Sequence, residues 1–154
     1  MTFHVFPIAV ASRGMVAFEL PGEPVPQPRP RVTARNGFAH AYTPSSHPVK
    51  AYREGIALAA RLSGVKPTSG DVALVIEFVF ARPPSHFTKS GLSSVAIPRP
   101  RPDWDNLGKA VCDALLGIAY QDDSQVVRAT VTKRYAARGE KSYTRVTIAT
   151  GDEH

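Results

Sequence analysis

The feature that most constrains the fold is a run of twelve residues, 71–82, with the sequence DVALVIEFVFAR. Its interior is almost continuously apolar, is rich in β-branched and aromatic residues, and contains neither proline nor glycine, so it predicts a β-strand. An apolar run without strict alternation is typical of a strand that is buried on both faces. We therefore expect residues 71–82 to form the central strand of a sheet, covered on both sides.

One helix is predicted before this strand in the sequence, and one after it. In residues 45–62 apolar side chains recur at helical spacing, with Ser45 or Ser46 as N-cap and Ser63 followed by a glycine at the end. The second helix starts near Asp103 or Asp105, carries an apolar stripe, and stops at the glycine at position 117.

Three further strands complete the predicted sheet. Residues 15–20 form the first, and residues 126–135 and 142–150 form the last two, which a short turn separates. That proximity predicts a β-hairpin for the last pair. The order strand, helix, strand, helix, strand, strand predicts an α/β fold, with a mixed sheet on which the helices pack.

The chain is about one domain long, and we assign residues 15–150 to it and residues 1–14 to a loose N-terminal extension. Residues 1–14 lack a basic start and a long apolar core, so they make a poor signal peptide. No run approaches membrane-spanning length. Cys112 is the single cysteine, which excludes an intrachain disulfide and a cysteine-based zinc site and favours the cytoplasm.

Two irregular stretches carry clustered arginines. Residues 21–31 contain five prolines, which favour an extended, semi-rigid path, and residues 83–102 form a long loop of the kind that is usually functional or mobile. Arginines on stiff loops with aromatic residues nearby suit phosphate and base contacts, whereas the alternative is a solvated linker. The candidate contacts are Arg29, Arg31, Arg35, Arg99 and Arg101, with His40 and Tyr42 close in sequence.

The chain has 19 lysines and arginines against 13 aspartates and glutamates, a formal net charge of +6. Because part of the acidic charge is gathered into one stretch, the remaining surface is more basic than the net charge suggests. A basic surface around an acidic pocket suits a polyanionic substrate and a metal ion. The alternative is ordinary solubility charge.

The acidic stretch is centred on the second helix. Asp103 and Asp105 open the helix, Lys109 follows one turn later, and Asp122 and Asp123 come just after the helix ends. Carboxylates at short range repel one another unless a cation lies between them, and Mg²⁺ is the usual hard cation for such oxygen ligands. Capping explains one aspartate at a helix start, but it does not explain three acids.

Several details of this stretch have two interpretations. Lys109 either stabilises charge on a phosphate or forms a helix salt bridge with Asp105 or Asp113. Trp104 either packs in the core, which we expect, or stacks on a base. Asp123 can approach Asp103 only if the following strand runs back beside the helix.

The stretches RPDWDNLGK (101–109), DAL (113–115) and DDSQV (122–126) together resemble the signature of the RusA family of Holliday junction resolvases. The upstream stretches GEPVPQPRPR (22–31) and YTP (42–44) are similar to the N-terminal pattern of phage-borne members. The resemblance extends over roughly residues 15–150 and implies a RusA-like single domain.

The resemblance implies a small homodimer that nicks four-way DNA junctions symmetrically with Mg²⁺, in DNA recombination and repair in a bacterial or phage-infected cell. Mn²⁺, another hard cation, would be expected to substitute. The implied carboxylates, which also hold the metal, are Asp103, Asp105 and Asp123, with Asp123 preferred over Asp122, and the implied catalytic lysine is Lys109.

Two other functions fit parts of the sequence. A non-catalytic DNA-binding protein would use the acids only for capping and pairing, but it gains nothing from a dense acidic pocket that faces phosphates. A general Mg²⁺-dependent phosphoesterase would use the acids on small nucleotides, but it needs no broad basic surface. The acids together with the basic loops therefore favour a metal-dependent, structure-selective endodeoxyribonuclease.

Overall fold

The computed structural model describes residues 14–42 and 46–151 and, within them, every side chain except that of Arg35. Residues 1–13 of the expected extension therefore lie outside the described residues. The described strands are β1 (Met15–Pro21), β2 (Arg31–Arg35), β3 (Phe38–Tyr42), β4 (Val72–Phe80), β5 (Phe87–Thr88), β6 (Gly91–Leu92), β7 (Val126–Tyr135) and β8 (Tyr143–Thr150). The α-helices are α1 (Val49–Leu62) and α2 (Trp104–Leu115).

Four strands form one mixed sheet in the order β1-β8-β4-β7. β8 lies antiparallel to both β1 and β4, whereas β7 lies parallel to β4. The parallel pair is connected through α2, which gives the chain a strand–helix–strand crossover. The α/β class with helices packed on one mixed sheet, as predicted from the order of elements, is confirmed.

The prediction that residues 126–135 and 142–150 form a hairpin is wrong. β7 and β8 lie on opposite edges of β4 and do not pair with each other. A short connection favours direct pairing, but placing the apolar β4 between the two strands gives partners to the hydrogen-bonding groups on both of its edges. The connection stays attached to β4, because Ala136 N–H donates to the Phe80 carbonyl at 2.7 Å.

Both helices pack on the same face of the sheet. Every second residue of β4 from Val72 to Phe80 is buried there. On the other face Ala73, Val75 and Glu77 are only half-buried, so the expectation that β4 is covered on both sides is wrong over residues 73–77. The core side chains from the helices are Val49, Tyr52, Ile56, Ala60, Leu107, Ala110, Val111, Ala114 and Leu115.

The helix boundaries follow the predicted pattern except at one start. α1 begins at Val49 with Pro48 at the N-cap position and no side-chain cap, while His47 Nδ1 accepts from Val49 N–H at 3.1 Å. Ser46 is therefore not the N-cap, and Ser45 lies outside the described residues. The predicted end is confirmed at Ser63. Neither α-helix of the described chain is long and apolar enough to cross a membrane.

A two-stranded hairpin, β2–β3, occupies residues 31–42 and was not among the predicted elements. Asn36 and Gly37 form its turn with φ values of 54° and 76°. Two consecutive positive φ values match the tight turn that follows the natural twist of a hairpin. Its described side chains are all exposed, so the hairpin projects from the sheet rather than adding to the core.

Candidate active site at the start of the second helix

Lys133 of β7 fixes the loop that leads into α2. Its Nζ atom donates hydrogen bonds to the carbonyl oxygens of Pro100 and Pro102 at 2.9 and 2.6 Å. Arg82 holds the same loop further upstream, since its Nη1 donates to the Ile97 carbonyl at 3.0 Å. Because Pro102 directly precedes the helix, these bonds position the start of α2 against the sheet.

α2 opens with two exposed carboxylates, Asp103 and Asp105, and the exposed Lys109 follows one turn later. Asp103 occupies the N-cap position, but its side chain makes no cap hydrogen bond. None of the three side chains forms a hydrogen bond or an ion pair with another residue of the described chain. Capping and pairing within the protein therefore do not account for these charges, and they are available to a ligand.

Asp113 differs from these residues because it has a protein partner. Its carboxylate lies 3.9 Å from Arg53 Nη1, and both side chains are about one-third exposed. Asp113 therefore pairs with α1 rather than with Lys109, which leaves the lysine free to act on a substrate.

Trp104 lies between the two carboxylates and is 61% exposed. The prediction that it packs in the core is wrong. Trp104 has the same helical spacing as the buried Leu107 and Val111, which made packing the expected outcome. The buried stripe of α2 starts only at Leu107, so the indole extends past the end of the core.

The proline-rich segment runs past the first turn of α2. Gln27 N–H donates to the Asn106 carbonyl at 2.9 Å, and Arg53 Nη1 donates to Gln27 Oε1 at 3.1 Å. These contacts hold the root of the β2–β3 hairpin beside the residue that follows Asp105. The arginines at positions 29 and 31 therefore follow directly after the segment that contacts the first turn of α2.

The candidate DNA contacts that the structure describes are all on the surface. Arg29, Arg31, Arg99 and Arg101 are exposed, whereas the side chain of Arg35 lies outside the description. Arg99 and Arg101 flank the buried Pro100, whose carbonyl is one of the two that Lys133 holds. Their backbone is thus fixed immediately upstream of the acidic pair.

The two acids after α2, Asp122 and Asp123, differ in their hydrogen bonds. The Asp122 carboxylate accepts from Ser124 N–H at 2.8 Å and so caps a short 3-10 turn. Its hydrogen bonds to Ser124 lower the pKa of Asp122 below its usual value. Asp123 is exposed and has no hydrogen-bond partner among the described residues. Asp122 is therefore a structural acid, and Asp123 is the unbound member of the pair.

Gln125 holds this turn against the sheet. Its Nε2 donates to the carbonyls of Thr68 and Gly70 at 2.7 and 2.9 Å, and its Oε1 accepts from Gln121 and Asp122 N–H at 2.8 and 3.0 Å. A side chain with four hydrogen bonds fixes the backbone on both sides of it. The hydrogen bonds of Gln125 therefore fix the backbone of the turn that contains Asp123.

Asp123 lies at the C-terminal end of α2. Burial raises the pKa of Cys112 and of Tyr120, and the negative charge of Asp123 raises both further. Tyr120 is tied to the last turns of α2, since its hydroxyl donates to the Cys112 carbonyl at 2.8 Å. β7 does run back along α2, but Asp123 precedes β7 and so stays beside these two residues.

Asp103 and Asp105 thus lie two residues apart at the start of α2, whereas Asp123 lies beyond the other end of this 12-residue helix, which is about 18 Å long. In residues 14–42 and 46–151, no group of three or more His, Cys, Asp or Glu side chains is arranged to hold a metal ion. Two neighbouring carboxylates still fit Mg²⁺, because proteins commonly hold that ion with one or two carboxylates together with substrate phosphate oxygens.

The sequence-based predictions missed the residues that support this site but lie far from it in the sequence. Lys133 and Gln27 have no local signal, because their partners lie 31 and 79 positions away in the sequence. The β2–β3 hairpin did have a signal, since an Asn-Gly pair between short strands is typical of a two-residue hairpin turn.

Two comparisons with known proteins bear on these residues. The family model for the endodeoxyribonuclease RusA matches residues 21–149, a range that contains the proline-rich segment, both helices and the acidic residues. A relative in Bacillus subtilis (strain 168), the uncharacterized protein YqaN, is 36% identical over 129 residues, which cover 79% of this chain and 88% of the relative.

Proposed function

Because the chain belongs to the RusA family of endodeoxyribonucleases, we propose that it is a Mg²⁺-dependent nuclease that resolves four-way DNA junctions by paired symmetric nicks. The family accounts for a nuclease that acts on branched DNA. The observation that supports the finer proposal is the pair of exposed carboxylates at the start of α2, which have no hydrogen-bond or ion-pair partner in the part of the chain that the structure describes. Such a nuclease belongs in the cytoplasm, where chromosomal or phage DNA recombines.

Asp103 and Asp105 would hold the metal, and Mn²⁺ would substitute because both ligands are hard oxygen donors. When bound, the ion supplies Lewis-acid polarisation of a phosphate oxygen and lowers the pKa of a water that attacks phosphorus. The N-terminal end of α2 adds exposed N–H groups and a positive dipole beside the same oxygens. The two aspartates would thus hold the ion at the helix start, where it could contact the scissile phosphate.

Lys109 would stabilise the negative charge that develops on the phosphate during attack. It is exposed one turn beyond Asp105, and Asp113, one of its two candidate salt-bridge partners, is paired with Arg53. A preorganised cation of this kind acts on the transition state more than on the bound substrate. Its replacement by methionine would lower the nicking rate more than the binding affinity.

Asp123 is the third proposed carboxylate, and its place at the far end of α2 calls for a specific test. Mixing two inactive variants, Asp105→Asn and Asp123→Asn, shows whether each site is formed by residues of one chain or of two chains. If each site takes Asp105 and Asp123 from different chains, a mixed dimer contains one intact site and recovers single nicks. If each site lies within one chain, no mixture recovers activity. Mixing Asp103→Asn with Asp105→Asn is the matched control, since both residues belong to the same end of α2.

The basic loops would hold the DNA by its phosphates. Arg29, Arg31 and Arg35 belong to the segment beside α2, and Arg99 and Arg101 belong to the loop that Lys133 fixes. Each phosphate that is neutralised releases counterions, so the binding constant falls with salt at a log–log slope of about −0.9 per contact. Alanine at one of these arginines would weaken binding and flatten that slope by about one contact.

A four-way junction is resolved only when two opposed strands are cut, so a homodimer with two identical sites suits this substrate. Mixing wild-type chains with Asp105→Asn chains would then give dimers that nick one strand and rarely resolve the junction. Light scattering would give about twice the 16.6 kDa chain mass. A monomer that resolves junctions at full rate would contradict the dimer.

The direct test of the function uses a synthetic four-way junction and a linear duplex of the same sequence, each with Mg²⁺ and with EDTA. We expect paired nicks on the junction with Mg²⁺ and none with EDTA, on the duplex, or in the Asp105→Asn variant. Binding without any cleavage would favour a DNA-binding protein. Hydrolysis of small nucleotides at the same rate as junction cleavage would favour a general phosphoesterase.

A further inference from the structure

Trp104 is the single tryptophan of the chain, and its side chain is 61% exposed. A tryptophan usually buries a large apolar area, so an exposed one at a candidate site is an unused contact surface. Among the described residues Trp104 has no ring contact or hydrogen bond. The fold therefore does not require the indole where it lies.

The surroundings of Trp104 indicate what covers it. Asp103 and Asp105 are its neighbours in sequence, are exposed, and have no partner in the described chain, so a purely apolar protein partner would have to desolvate two uncompensated carboxylates. A nucleotide avoids that cost, because its base has an apolar face while its phosphate shares a divalent cation with the two acids. Arg29 and Arg101 provide positive charge nearby for the adjoining phosphates.

We propose that Trp104 stacks on an unstacked base at the branch point of the junction and so helps the protein to distinguish a junction from a duplex. This inference rests on the proposed function. A base in intact duplex is already stacked on its neighbours and must be extruded at an energetic cost before an aromatic side chain can receive it. When the protein holds the four arms open, the base pairs at the crossover lack a stacking neighbour on one side, and an aromatic side chain can take that neighbour's place.

The single tryptophan makes a direct measurement possible. Excited at the long-wavelength edge of tryptophan absorption, where the five tyrosines absorb little, the full-length protein reports on Trp104. Ca²⁺ in place of Mg²⁺ provides a cation for the two acids during the titration, and a gel of each sample shows whether the DNA stays intact. We expect the fluorescence to be quenched on saturation with a four-way junction and to change little on saturation with linear duplex of the same sequence. A junction that carries 2-aminopurine at the branch point should show a reciprocal change in the fluorescence of that base.

Variants then test whether the contact contributes to affinity. Stacking of one base on an aromatic side chain corresponds to about 5-fold to 150-fold in affinity, so Trp104→Ala should weaken junction binding within that range and leave duplex binding unchanged. Trp104→Tyr keeps an aromatic face and should retain most of the affinity. Leu62→Ala is the matched control, because Leu62 is 79% exposed at the far end of α1. Circular dichroism shows whether each variant is folded.

Three results would overturn the inference. The first is junction binding that leaves the tryptophan fluorescence unchanged. The second is a folded Trp104→Ala variant that binds the junction as tightly as wild type. The third is a fluorescence change that follows protein concentration without DNA, which would place the indole between two copies of the chain. If wild-type protein neither binds nor nicks the junction, the proposed function itself fails, which is a separate outcome.

Discussion

The two ends of α2 both carry acidic residues, but the residues are used differently. At the N-terminal end Asp103 and Asp105 are exposed and have no partner in the described chain. At the C-terminal end Asp113 pairs with Arg53, and Asp122 accepts a backbone hydrogen bond from the turn that Gln125 holds. An acid with a protein donor stabilises the fold, whereas an acid without one is available to a substrate. The comparison separates acids that have a partner in the described chain from acids that have none, and Asp123 belongs with the second group.

The largest expected effect comes from the N-terminal end. Asp105→Asn should reduce junction nicking at least about 100-fold, because it removes one of the two proposed carboxylate ligands of the catalytic metal ion. Its free energy of unfolding should change by less than about 0.5 kcal/mol, since no protein partner is lost. Junction binding should stay equal or strengthen. Gel-based nicking, a binding titration and thermal melting check the three parts, and a melting temperature that falls together with activity would contradict the separation of roles.

Lys133 is expected to have the next largest effect because it positions the loop before Asp103. Lys133→Met removes two hydrogen bonds to that loop, and loss of such a supporting group typically costs about 10- to 100-fold in metal affinity or activity. The Mg²⁺ concentration for half-maximal nicking should rise, which a general loss of stability would not cause. Lys141→Met, at an exposed lysine, is the control. An unchanged Mg²⁺ requirement would show that the loop needs no such support.

A substitution at Gln125 tests the C-terminal end of α2, where Asp113 and Asp122 have partners in the protein. Gln125→Ala should lower the free energy of unfolding by about 1–3 kcal/mol, because it leaves partly buried backbone groups without partners. Urea unfolding measures this change. Gln121→Ala is the matched control, since Gln121 is exposed and contributes only its backbone to the network. Equal stability of the two variants would mean that water replaces the Gln125 hydrogen bonds.

The smallest effect is expected for Asp113. Asp113→Asn removes one partly exposed ion pair with Arg53, which corresponds to less than about 1 kcal/mol of stability. Nicking should remain within a factor of a few of wild type, in contrast to Asp105→Asn. The two variants carry the same chemical change at different positions of the same helix, so they are assayed side by side. A large loss of nicking in Asp113→Asn would place this acid in the site after all.

The N-terminal half of the chain shows how a local signal can be present and yet be outweighed. Five prolines in residues 21–31 favour an extended segment, and the prediction contains no turn at the Asn-Gly pair that follows. In the structure Asn36 and Gly37 both have positive φ, which is the local requirement of a two-residue hairpin turn. The hairpin was therefore predictable from two residues, whereas the attachment of its root at Gln27 to Asn106 was not.

The sequence by itself determined the elements, because their signals are local. The apolar run of β4, the apolar stripes of both helices and the glycine at position 64 specify strand, helix and helix end through side-chain spacing and backbone preference. It also pointed to the candidate acids at the start of α2, because two carboxylates and a lysine within seven residues at a helix start are more than a single N-cap requires.

Only the tertiary structure decided how these elements are joined and which acids are free. β7 and β8 are neighbours in sequence but pair with opposite edges of β4, since the hydrogen-bonding groups of a central strand need partners on both sides. Asp122 and Asp123 are adjacent, yet among the described residues only the Asp122 side chain accepts a hydrogen bond. Trp104 follows the apolar spacing of α2 and still lies outside the core. Each outcome depends on what the rest of the chain places beside the residue, and spacing along the sequence does not contain that information.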